Sequence, residues 1–462
     1  MSQLSEKEIK KGLDKSLVDG GAVAARDSIT SNFTTPYALS LGANNEQIGI
    51  IMALPILAAT IFSPISGKLI EAKGSKKLFA TKAWLLSHLT WLPIALIPFI
   101  FVDGRLTILV ALLCIAQTFG SAGSTAWASW MADLVPEKIR GKFFGQRNTI
   151  AGTSAFFSTL LAGWILTTYQ GFQGFTVIFT IAAFFGLVSY TLLRHIPEKD
   201  SDSKANHKFS LHLSEFFQGF RKHHNFANMT YLIAAINFSV FIAAPFFSVY
   251  ILRNLGISYA WFAIIAAAEI LVAVISSRYW GKLADRFGDR AVMGAAGLLV
   301  AAVPIPYIFS SNQYHLILAG ALSGFAWAGF DLVRFNYLLD AVPAEHRPTY
   351  IANHKLTVGS VQFIAPLLGG VLATIFSTQT FFFLVGLQTL FLLSSVLRFA
   401  AIGIFFPRFV EKRVKAPVGT PVKYVFWRAV AVYPAQGLVH EMDIAYHKLH
   451  AIEGKIKGRI NV

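Results

Sequence analysis

Glu269 stands in a long hydrophobic run with Ile265 and Val272 on its helical flanks, and the next basic residue in that run is Arg278. An isolated carboxyl in a low-dielectric setting is costly as an anion, so the chemistry it suits is proton exchange near neutral pH. The alternative is a carboxylate neutralised across the fold by Arg334 or Arg26. Asp27 follows Arg26 directly and shares a helical face with Thr30, Ser31 and Thr34. That face suits a cavity wall binding a cation or proton, or simply an Asp27 neutralised by Arg26. Trp327, Asp331 and Arg334 also share a face, so Asp331 and Arg334 are expected to pair, with Trp327 as packing. The other reading is a pair that loosens when solute or proton arrives. Asn237 and Gln362, with Trp127 and Trp130, could hydrogen-bond or stack a solute, or serve as contacts between helices. No hydrolase nucleophile, phosphate-cradling loop or Cys/His metal set is legible, and no cofactor is implied.

Such groups need helices to hold them inside a bilayer. The 462 residues are 55% hydrophobic and 14% charged, with a mean hydropathy of +0.55. That is too apolar for a soluble domain of this length. At roughly 20 residues per span, the sequence divides into about twelve helices. They run over 17–40, 46–70, 78–101, 106–132, 146–169, 173–193, 228–252, 260–281, 291–310, 314–339, 354–376 and 380–405. The net charge of +16 is an orientation signal and does not point to nucleic acid. Loops on one side carry Lys73, Lys76, Lys77, Lys138, Arg140, Lys142, Arg286 and Arg290, whereas those on the other hold Arg105 and Arg253. Both termini are then cytoplasmic in a multi-pass protein of the cell membrane, plasma or inner. Tyr259, Trp261 and Trp280 are expected in the aromatic belts. Cys114 is the single cysteine, so no internal disulfide forms. The first residues lack a cleavable signal peptide.

The chain is expected to be duplicated. Residues 281–290 read Gly-Lys-Leu-Ala-Asp-Arg-Phe-Gly-Asp-Arg, and residues 67–77 repeat the design, with Gly67, Leu69, Glu71 and Gly74 standing where Gly281, Leu283, Asp285 and Gly288 stand. A small residue for helix approach, an acid at the membrane edge, a turning Gly and following cations give the spacing its logic. Asp133-Leu-Val-Pro136 recurs as Asp340-Ala-Val-Pro343, and at the same offset Arg140 meets Arg347 and Arg147 meets His354. Asp133 with Arg140, and Asp340 with Arg347, are expected to fix those loops. The organisation is a terminus at 1–15, a first half at 16–193, a polar linker at 194–227, a second half at 228–406 and a basic tail at 407–462. An amphipathic surface helix is expected at 211–220, and another in the tail around Val425, Trp427, Val430 and Ala431. His440, His447 and His450 fall on one face of a later tail helix, a weak metal or pH-sensing arrangement.

With its repeated loop, the sequence resembles the major facilitator superfamily. The resemblance implies an all-α membrane fold of two six-helix bundles related by a pseudo-two-fold axis along the membrane normal. It also implies alternating access for a small-molecule solute, with protons as a coupling partner, by a chain expected to be monomeric. By the same resemblance Glu71 and its counterpart Asp285, with Gly67, Gly74, Gly281, Arg286 and Gly288, form the conformational switch. His88 becomes a helix contact in a peripheral third helix. The sequence departs from the pattern at Glu71, where Asp is usual, and at Asp289, where a cation is usual. It also lacks the Arg in the fourth helix and the Gly-Pro in the fifth that proton-driven drug exporters carry, which weakens a multidrug reading. The rivals are an uncoupled facilitator and a membrane sensor or scaffold acting through the basic tail.

Overall fold

The structure, a computed structural model, describes residues 5–73, 75–199, 224–340, 347–381, 384–408 and 422–432. The first half comprises α1 (Glu6–Ser40), α2 (Asn45–Lys73), α3 (Lys76–Leu89), α4 (Trp91–Ile100), α5 (Arg105–Leu134), α6 (Arg140–Thr168) and α7 (Phe172–Arg194). The second comprises α8 (His224–Phe241), α9 (Ala244–Val249), α10 (Tyr259–Phe287), α11 (Asp289–Ala302), α12 (Pro304–Phe309), α13 (Gln313–Asp340), α14 (Arg347–Ser377) and α15 (Leu387–Phe405). α3 with α4, α8 with α9, and α11 with α12 each make one interrupted span. The interruptions have a common cause. Proline removes an N–H and clashes with the carbonyl four residues back. α3, α8 and α11 accordingly end at Leu89, Phe241 and Ala302, four residues before Pro93, Pro245 and Pro306.

Among the described residues, eleven spans are apolar and long enough to cross a membrane on composition alone. α1 makes the twelfth. Asp19, Arg26 and Asp27 lower its apolar score, and its packing against α6 and α7 shields much of it. It also starts well before residue 17, because Ser5 and Glu8 form a capping box. Ser5 N–H donates to Glu8 Oε2 at 2.9 Å, and the bonds from Ser5 hold the Glu8 carboxyl below its ordinary range. At the far end a small strand pair, β1 (Thr380–Phe381) with β2 (Leu384–Val385), occupies the start of the expected twelfth span. The helix there begins only at Leu387.

The halves repeat one packing scheme. α1 lies on α6 and α7, as α8 lies on α14 and α15; α2 lies on α5, as α10 lies on α13; α3 lies on α5 and α7, as α11 lies on α13 and α15. Between halves, the two main seams are α2 with α14 and α6 with α10.

Candidate functional site

Both seams are tight at the end where α2 and α10 begin. Phe33 meets Phe262 edge-on at 5.7 Å and Phe175 meets Tyr259 at 5.6 Å. Arg253 donates to Ala43 O at 3.4 Å and to Asn45 Oδ1, tying the second half to the first. Beside this tie a cleft of about 500 Å³ is lined by Asn44, Glu46, Asn254, Thr374 and Ser377. Contact continues to mid-span, where Gly152 faces Val274 and Gly359 faces Thr60. Farther along, toward the repeated loops, Ile61, Ile65, Leu69 and Leu356 are exposed.

Glu269 sits at the centre of α10, partly buried. Ser323 Oγ of α13 donates to its Oε1 at 2.8 Å. Among the described residues no cation pairs with it, so the alternative reading, neutralisation by Arg334 or Arg26, is not found. Gly320 and Gly324 make the geometry. They lie one turn apart on α13, directly against the Ile265 and Glu269 carbonyls, so α10 and α13 approach at backbone distance. This small-x-x-x-small signal was present in the sequence and was the one that locates Ser323.

Asp27 and Asp331 are different. Arg26 Nη1 lies 2.7 Å from Asp27 Oδ1, and Arg334 Nη2 lies 3.1 Å from Asp331 Oδ1. Asp27 is the outward partner of its pair, with its side chain 54% exposed against 12% for Arg26. Arg26 also donates to Ser87 Oγ at 3.3 Å. On the face shared with Asp27, Ser31 is exposed but Thr30 and Thr34 are buried, and each hydroxyl bonds a backbone carbonyl of its own helix. That face is therefore only partly a cavity wall. Gln362 Nε2 donates to Asn237 Oδ1 at 2.8 Å, so this pair joins α14 to α8. Trp327 packs on Phe330.

An ion pair central to the first half went unrecognised in the sequence. Asp19, fully buried, accepts from Ser189 Oγ at 2.6 Å and faces Arg147 Nη2 at 3.3 Å. The guanidinium also bonds Ser16 O and lies 4.3 Å from the Trp127 ring centroid. That ring face is thus occupied by the protein itself. A Cβ on Gly20 would lie 2.8 Å from Arg147 Cγ, so the bare backbone there makes room for the arginine. At the repeat position His354 meets Thr230 Oγ1 at 3.2 Å, a neutral counterpart. In the outer layer, Arg398 is fully buried and donates to Val300 O and Ser394 Oγ. His88 is fully buried and makes the expected helix contact, against Gly186, but neither ring nitrogen is hydrogen-bonded among the described residues.

The loop residues divide. Gly288, at φ +84°, turns the chain between α10 and α11 as expected. Among the described residues Gly281 serves no close helix approach, since a Cβ there would meet none of their atoms within 4 Å. Arg286 lies over the Phe287 ring at 5.3 Å, and Asp285 is engaged by a partner. Gly67 and Glu71 lie in α2, but their side chains, together with Gly74, fall outside the described residues. So do the 211–220 helix, the three tail histidines and the side chains of Asp340 and Arg347. Asp133 pairs with Lys76 at 2.6 Å and not with Arg140, which donates to Ala132 O. Lys76 opens α3 and reaches Asp133 across the loop, whereas Arg140 is turned back along its own connection. Trp280 leaves the expected aromatic belt for the interior, where its Nε1 donates to Phe325 O at 2.8 Å.

The profile of the Major Facilitator Superfamily matches residues 20–248 and again 229–436. The chain belongs to that superfamily. It is 27% identical to the MFS-type transporter YuxJ of Bacillus subtilis, over 76% of this chain and 87% of the relative. It is likewise 27% identical to the multidrug resistance protein MdtG of Proteus mirabilis, over 77% and 87%. A 31% match to the efflux pump PmrA of Streptococcus pneumoniae spans 32% of this chain and only 38% of that pump. Among solved structures, the nucleoside transporter NupG superposes with a TM-score of 0.68 at 13% identity, covering 87% of this chain and all of that one. A bacterial homologue of the lysosomal transporter Spinster gives 0.63 at 14%, covering 88% and 98%. As a superfamily member the chain is a multi-pass membrane protein.

Proposed function

We propose that the protein is a secondary active transporter that moves a small solute by alternating access, with proton coupling through Glu269. The observation that carries this reading is the pair of seams between the halves, tight at the Arg253 end, with Ile61, Ile65, Leu69 and Leu356 exposed toward the repeated loops. Tilting the halves about the mid-span contacts exposes a central site to one side and then the other. Glu269 suits the coupling role because its polar partner among the described residues is a neutral hydroxyl, so a proton gained or lost changes the charge buried between α10 and α13. Asp27 and Asp331 set the charge of the site with their arginines. The distribution of cations favours cytoplasmic termini in the plasma membrane, with the repeated loops inward.

A thermal-shift screen of solutes on the purified protein, at two pH values, identifies the transported class. Concentrative uptake into proteoliposomes then tests the coupling. Glu269→Gln is expected to bind solute but to lose pH-dependent accumulation; accumulation that survives with its pH dependence sinks the coupling role. The uncoupled facilitator is favoured by the ion pairing of Asp27 and Asp331, and it predicts equilibration without accumulation in the unaltered protein.

A further inference from the structure

Beyond the second half, the chain comes back to the bundle. α16 (Val422–Trp427) and the wider turn that continues it over Arg428–Val432 turn Val425 and Ala429, both fully buried, against the ends of α10 and α11. Val422 packs on Gly294, where a Cβ would lie 2.9 Å from Val422 Cγ1. Tyr424 meets the Phe287 ring edge-on at 5.7 Å, and Arg428 lies over the same ring at 5.7 Å. Tyr279 Oη donates to Arg428 O at 3.3 Å, and Arg428 Nη1 donates to Tyr424 Oη at 2.9 Å. The segment is thereby fastened over the turn at Gly288, the second copy of the repeated loop.

That attachment fixes which side looks outward. Tyr424, Trp427 and Val430 recur every third residue and are exposed, Trp427 by 64%, with Lys423 exposed beside them. In an isolated amphipathic helix the valine and alanine stripe would compete for the bilayer; here the protein has consumed it. We infer that the outward face is a docking surface for anionic phospholipid headgroups. Trp and Tyr rings settle at headgroup depth, and lysine and arginine beside them complement negative lipid. The described stretch Val422–Val432 carries Lys423 and Arg428 and no acid. The surface therefore selects a charged leaflet and is more than an apolar patch.

The test uses the full chain in nanodiscs and needs no solute, so it stands apart from the transport reading. An environment-sensitive dye is placed at Val430→Cys in a Cys114→Ser background. In discs rich in phosphatidylglycerol, blue-shifted emission and quenching by brominated lipid are expected; in pure phosphatidylcholine both should weaken. Lys423→Gln should lower the ratio of docked to undocked protein roughly fivefold in the anionic discs, the effect of one cation near such a surface, and Trp427→Ser should weaken docking in both. Emission typical of water in both lipids overturns the inference. Equal quenching in both overturns the charge selectivity. Shielding that grows with protein concentration instead of with anionic lipid assigns the face to a second copy of the chain, and also overturns it.

Discussion

Gly324 lies directly against the carbonyl oxygen of Glu269, with no room for a side chain between the two backbones. This contact brings the Ser323 hydroxyl to the Glu269 carboxyl. Gly324→Ala forces α10 and α13 apart at the middle of the bundle. A loss of about 1–3 kcal/mol is expected, seen as a lower melting temperature in detergent, together with a pH response altered toward that of Ser323→Ala. An unchanged melting temperature would show that the seam has slack.

The Asp19–Arg147 pair is expected to behave as a buried unit. Asp19→Leu or Arg147→Leu alone strands its partner and costs about 3–5 kcal/mol. Because two leucines leave no stranded charge, the double variant should lose less than the sum. Thermal unfolding of the four proteins measures the coupling, and strictly additive losses would count against the pair.

Cross-linking can hold the closed end shut. With Cys114 replaced, Asn45→Cys and Arg253→Cys should be bridged across the halves by a reducible bifunctional thiol reagent, which arrests solute flux until the link is reduced. Arg253→Ala should instead make labelled positions near Phe33 and Phe262 more accessible. Flux that continues through the cross-linked protein would mean that this end does not open during transport.

Orientation has a direct readout. A cysteine at Asp103, between α4 and α5, should react with an impermeant reagent added to intact cells, while one at Glu137 should react only after permeabilisation. The reverse pattern would invert the proposed topology.

Much of this architecture is legible in sequence, because a span must hide about twenty residues from water and a duplicated loop keeps its glycines and acids. Gly288 and the Asp331–Arg334 pair fall in this legible part, since each depends on local geometry. What escaped depends on how helices rotate and approach. Nothing near Asp19 in the chain names Arg147, which lies on another helix and reaches it over Gly20. Asp133 lies near Arg140 in sequence yet pairs with Lys76, and Trp280 looked interfacial by position but is turned inward toward Phe325. The contact of Gly320 and Gly324 with α10 was also missed, although their spacing is a short motif that could have signalled it.

The two seams have a consequence for motion. α2 and α10 occupy equivalent places in the two halves, as do α6 and α14, so the α2 seam with α14 and the α6 seam with α10 are one interface used twice. It is the self-complementary contact of an isologous dimer, here built into a single polypeptide. Both seams join the same two bodies, so a cross-link on either one restrains the movement of one half against the other, and a substitution on one seam has a structural counterpart on the other.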